Sequence, residues 1–135
     1  MAQQKSKAMN ISLWIAQGLL AAMFLMAGTM KSTQPIATLA ESMPWVSYSP
    51  AWLVRFVGIS ELLGGLGLIL PALLRIQPKL TVYAAIGLAI IMVLAMGLHA
   101  YKGEFSAIGM NVVILLIAVF IAWGRTKKVP ILPKS

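Results

Sequence analysis

The stretch Arg55-Phe-Val-Gly-Ile-Ser-Glu61-Leu-Leu-Gly-Gly-Leu-Gly-Leu-Ile-Leu-Pro71 decides how the chain is read. It lies within an apolar run from Ala51 to Leu74 that is long enough to cross a membrane, yet it carries an arginine and a glutamate. Counted from Ala51 at about 1.5 Å per residue, Glu61 falls roughly 15 Å along a helix axis. That is near the middle of a hydrocarbon layer about 30 Å thick. A charge at this depth costs roughly 2.5–3.5 kcal/mol on insertion scales, so it has to face protein, a cavity or a ligand. Gly58, Gly64 and Gly65 stand three or four residues from Glu61 and flank it on one helical face. Small residues let a second backbone come close, which places this face at a helix–helix contact.

Working outward, the composition fits the same reading. The chain is 60% hydrophobic and 10% charged, with a mean hydropathy of +0.89, whereas soluble domains average about 25% charged residues. An all-α integral membrane protein is expected, forming a single domain over residues 1–135 and in contact with the lipid bilayer. The net charge of +8 does not point to nucleic acid, because the basic residues flank apolar runs instead of forming a patch. There is no cysteine, which removes thiolate metal sites, iron–sulfur clusters and disulfide exchange. A single histidine is too few for a zinc site or a bis-histidine haem within one chain, so no metal is expected.

Four apolar spans follow from the pattern, at about residues 10–30, 51–74, 80–101 and 105–123. The polar segment before Asn10 resembles the start of a signal peptide, but the apolar run after it is too long for one. In the first span Gly18, Ala21, Leu25 and Gly28 recur at helical spacing as a small-residue packing face. Met23, Met26, Met92 and Met96 read as core. Between the first two spans, Ile36, Leu39 and Met43 recur at helical spacing after Pro35, predicting a short amphipathic helix on the membrane surface. Trp45, Tyr48 and Trp52 follow it as an interfacial aromatic belt. One face of the third span reads Ala85, Leu88, Met92, Ala95, His99.

Basic residues in the short flanks give the orientation. Lys5, Lys7, Arg75, Lys79, Arg125, Lys127, Lys128 and Lys134 fall on one side, Lys31 and Lys102 on the other. Both termini are therefore expected in the cytoplasm. With that topology Lys31, Arg55, Glu61, His99 and Asn111 all lie in the half of the bundle away from the cytoplasm, and Gln17 does not. Each has a plain structural role open to it: Lys31 and Arg55 reaching headgroups, His99 as a hydrogen-bonded packing residue near a helix end, Asn111 in an interhelical hydrogen bond, Glu61 in a buried ion pair with Lys31 or Arg55. Together they make a candidate site, with Glu61 and His99 lining one cavity, Lys31 or Arg55 at its mouth and Asn111 adding a hydrogen bond.

These residues resemble the DoxX family of small four-helix membrane proteins. The resemblance rests on Gly28-Thr-Met-Lys31, on the glutamate–glycine block Gly58-Ile-Ser-Glu61-Leu-Leu-Gly-Gly, and on His99 late in the third span. It implies a four-helix bundle in the bacterial plasma membrane and association with oxidoreductases, and it assigns no reaction. Two kinds of function stay open. One is an accessory or ligand-binding subunit of a redox complex, where a quinone or similar amphipathic molecule meets the proton carriers Glu61 and His99. The other is a small-solute carrier or a membrane scaffold whose polar cluster only fixes helix register. Homo-oligomers fit either one, and whether the chain catalyses anything stays open as well.

Overall fold

The computed structural model describes residues 2–133, with side chains from residue 7 onward. Lys134 of the basic tail and the side chain of Lys5 lie outside the described residues. Every regular element among those residues is helical: α1 (Ala2–Thr33), α2 (Ile36–Ser42), α3 (Pro44–Ser47), α4 (Ala51–Leu74), α5 (Lys79–Tyr101) and α6 (Phe105–Trp123), followed by a π-helical turn over Gly124–Lys128. Segments of α1, α4, α5 and the α6 region are long and apolar enough to cross a membrane. The chain is a multi-pass membrane protein.

The buried positions explain why these helices assemble. On α4 they are Val54, Gly58, Glu61, Gly65, Leu68 and Ala72; on α5, Thr81, Ala85, Leu88 and Met92; on α6, Ile114, Ala118 and Ile121. Alternating steps of three and four draw one narrow stripe along each helix, the seam of an up–down bundle. Most of the remaining surface is apolar and exposed, as at Phe56, Leu63, Leu94 and Leu116. Such a surface would drive aggregation in water and is what lipid contact requires.

Close contacts set the order of the bundle. Gly28 of α1 meets Gly58 and Leu62 of α4, while Ala21 and Leu25 meet Gly65, so the two helices run antiparallel. Likewise Gly64 and Gly67 of α4 meet Leu88 and Ala84 of α5. Helix α6 packs chiefly on α5 and closes the bundle against α1. Turns with left-handed backbone at Arg75, Gln77 and Gly103 reverse the chain between these helices. Leu39, Val46 and Val54 form a second, small core that seats α2 and α3 against the start of α4.

Three expectations change. Helix α1 runs from Ala2 to Thr33 and so extends past both expected ends, because no proline interrupts the chain before Pro35. Gly18 has nothing near its missing side chain, so the packing face of α1 is Ala21, Leu25 and Gly28 without it. Met23 and Met26 are 40% and 64% exposed, and they face outward while Met92 is core.

Candidate functional site

Glu61 is 3% exposed, and its charge is answered from α1: Lys31 Nζ donates to Oε1 at 2.7 Å. Gly58 makes the pair reachable. A side chain at residue 58 would stand 2.7 Å from Lys31 Cβ and 2.8 Å from its backbone carbon, and one at Gly28 would stand 2.6 Å from the Leu62 nitrogen. The two backbones are thus as close as glycine allows. The Trp45 ring of α3 lies 5.7 Å from the Lys31 ammonium and adds a cation–π contact on its far side.

Arg55 does not pair with Glu61. Its Nη1 donates to the carbonyls of Lys31 (3.1 Å) and Gln34 (2.7 Å). These lie at the C-terminal end of α1, where carbonyls lack helical donors and the helix dipole favours a cation. Arg55 is therefore a cap supplied by the neighbouring helix.

His99 belongs to a second cluster. Its Nδ1 lies 2.9 Å from Glu104 Oε1, and because an ionised carboxylate only accepts, that nitrogen carries the proton. Tyr48 of the α1–α4 connection donates to the same oxygen at 2.8 Å, and the Lys102 ammonium sits 4.5 Å from the Tyr48 ring. Hydrogen bonds from His99 and Tyr48 hold the Glu104 carboxyl below its usual range. Desolvation, then the Glu104 carboxylate, push the Tyr48 phenol up to about 12. The α3 region thus gives Trp45 to the first cluster and Tyr48 to the second, and so ties the α1–α4 pair to the α5–α6 turn.

Among the expected site residues, Lys31 and Glu61 are brought together, and Arg55 joins them through the α1 backbone. His99 takes Glu104 as its partner, a residue not expected in the site. Asn111 departs from expectation, since its Nδ2 is buried without a hydrogen-bond partner among the described residues; Ser32 Oγ is in the same position. Glu61 and His99 line none of the principal hollows found among the described residues.

The lysine of Gly28-Thr-Met-Lys31 and the glutamate of the α4 glycine block, two of the motifs on which the family resemblance rests, meet in this pair, and the model of the DoxX-like family matches residues 15–121. The chain belongs to that family. No curated protein and no solved structure matches it. The DoxX-like match spans both clusters, from Ile15 in α1 to Ile121 in α6.

A third polar assembly, at the other end of this DoxX-like bundle, was not anticipated. Arg125 is 4% exposed. Its Nε donates to Gln17 Oε1 and its Nη1 to Asn10 Oδ1, both at 2.7 Å, and Nη1 also reaches the Val129 carbonyl at 3.0 Å. Gln17 in turn donates to the Leu68 carbonyl at 2.6 Å. Nearby, Pro71 has no N–H for the Gly67 carbonyl four residues earlier, and the Thr81 hydroxyl of α5 donates to it at 2.9 Å instead. The available signal was spacing: Asn10 and Gln17 are seven residues apart on the face of α1 that carries Leu13, Leu20 and Phe24. Polar side chains on a core stripe need a partner.

Proposed function

We propose that this DoxX-like protein is a non-catalytic accessory subunit of a membrane oxidoreductase system, with both termini in the cytoplasm of a bacterial inner membrane. In this reading α2 lies at the outer membrane surface, and the bundle is a scaffold on which a redox partner or a second copy assembles. The supporting observation is that the acids of the candidate cluster are already taken inside the chain, Glu61 by Lys31 and Glu104 by His99 and Tyr48. An ion pair between two helices fixes their register. The redox setting comes from the family.

The test is Glu61→Gln in the native membrane, with the partner's recovery and the chain's thermal stability measured together. The scaffold reading expects both to fall in step, and it expects the purified chain alone to move no solute into liposomes. Turnover of a quinone analogue by the purified chain would overturn it, as would solute flux. Cysteine labelling tests the orientation: Ser42→Cys should react from outside intact cells and Gln77→Cys should not.

One observation favours a second reading. Ser32 Oγ and Asn111 Nδ2 are buried polar atoms in the same half of the bundle without partners among the described residues. Both suit the carbonyl or hydroxyl oxygens of an amphipathic ligand such as a quinone, which would make the site ligand-binding. Quinone retained by the gently purified protein and lost in Asn111→Leu would establish this reading over the first.

A further inference from the structure

We propose that the hollow around Arg125 binds a phosphate group, of the kind an anionic lipid headgroup brings to the membrane edge. This inference is independent of the role assigned to Glu61. It starts from an unbalanced charge. The side chains that accept from the Arg125 guanidinium, Gln17 and Asn10, are neutral amides. Its Nη2 is buried without a hydrogen-bond partner among the described residues. The chain has only three side-chain carboxylates: Glu61 and Glu104 are engaged elsewhere, and Glu41 lies on α2 beyond the far end of α1. A guanidinium removed from water is strongly disfavoured unless an anion meets it.

The surroundings are built for such an anion. Arg125 lines two hollows that share Arg75. One, of about 670 Å³, lies between α1, the end of α4 and the tail, and is also lined by Lys7 and Asn10. The other, of about 980 Å³, lies between the α4–α5 turn and the tail, with Lys79 and Tyr83 in its wall. Arginine presents its N–H groups in a planar fork that matches phosphate oxygens. The nearby lysines raise the local anion concentration. Ile131 belongs to both walls, so an acyl chain leaving a headgroup meets apolar surface. The Trp14 ring lies 5.3 Å from the guanidinium and adds a cation–π contact.

The backbone shows that this arginine is placed inward and has not simply strayed from the basic tail. The helix widens to a π turn over Gly124–Lys128, closed by the Val129 amide on the Gly124 carbonyl at 2.7 Å. A side chain at Gly124 would stand 2.5 Å from Leu13 Cδ2. Glycine there lets the turn press onto α1 and carries Arg125 between the helices, while Lys127 and Lys128 stay exposed. Such π turns recur where a helix gives up regular geometry to aim a functional side chain.

The experiment follows thermal unfolding of the full chain in neutral detergent during titration with phosphatidylglycerol, phosphatidylcholine or inorganic phosphate. Phosphatidylglycerol should stabilise saturably at roughly tenfold lower concentration than phosphatidylcholine, the factor a single charge-assisted hydrogen bond supplies. Arg125→Gln should erase that preference. Competition by inorganic phosphate would assign the site to a soluble phosphate, and its failure to compete would assign it to the headgroup. Equal stabilisation by the two lipids overturns the proposal, as does an undiminished preference in Arg125→Gln. Should that variant not fold, Arg75→Gln combined with Lys79→Gln carries the same decision.

Discussion

Two cations, Lys31 half-buried and Arg125 buried, sit at opposite ends of this bundle and are treated in opposite ways. Lys31 meets the carboxylate of Glu61 at 2.7 Å, under a tryptophan and between two helices pressed together at glycines. Among the described residues Arg125 hydrogen-bonds only to amide and carbonyl oxygens, in a widened turn beside two open hollows. The first arrangement is complete in itself and acts as a fastener. The second uses the same kind of charge and, on our proposal, takes a bound phosphate as its counter-ion. Burial alone therefore does not mark a functional charge in a membrane bundle; the identity of the partner does.

The comparison breaks most sharply at Glu61. Glu61→Gln leaves the Lys31 ammonium buried without its counter-ion and should cost about 3–5 kcal/mol, read as a large drop in unfolding temperature in detergent. Adding Lys31→Met should recover much of the loss. If the double variant is no more stable than the single one, the pair is not a fastener.

Packing at the same seam comes next. Gly28→Val and Gly58→Val each push a side chain into backbone on the facing helix, and each should cost about 1–3 kcal/mol. Gly65→Leu should also destabilise, but its nearest neighbour is the side chain of Leu25 at 3.0 Å, which has more room to yield. Gly18→Ala, with open space around it, should stay within about 0.5 kcal/mol of the parent.

The other end is sharpened by a cycle at Pro71. Thr81→Val removes the hydroxyl that serves the Gly67 carbonyl and should cost about 1 kcal/mol. In a Pro71→Ala background the restored helical N–H should make the same change nearly neutral. Equal costs in both backgrounds would mean that the threonine serves packing alone.

The smallest effect concerns the cluster of Tyr48, His99, Glu104 and Lys102. Because the Glu104 carboxyl is held low, the contribution of this link is complete above its ordinary value of 4.5 and is lost as the pH falls through the lowered one. The Tyr48 phenol is raised, so its contribution is complete below 10.0 and is lost as the pH rises through about 12. The protection factors of the backbone amides over residues 45–49, taken relative to the unstructured amide at each pH, should accordingly be highest between these limits and lower outside them. Tyr48→Phe should lower them modestly at neutral pH without unfolding the bundle.

How much of this was legible follows from the same contrast. The four spans and the contact face of Glu61 could be read because apolar runs and a lone acid among glycines are statements about the solvent each residue tolerates. Lys31 stood among the partners weighed for Glu61; Arg55 as a cap did not, since capping depends on where a neighbouring helix ends. His99 was placed with Glu61 because both fall in one half of the membrane, but depth fixes only one coordinate, and Glu104 five residues further on is the nearer acid along the chain. Arg125 was hidden by its neighbours. In Arg125-Thr-Lys-Lys128 it reads as one more topogenic charge, and only the widened turn after Gly124 separates it from the lysines.

The short helix α3 has a consequence for how the protein is made. It follows the first span in the chain, yet Tyr48 finds its carboxylate beyond the third span, at Glu104. During synthesis that partner does not exist until two further membrane crossings have been completed. The loop can thus pack on α4 as soon as that helix is made, but its link through Tyr48 waits for the second helical hairpin.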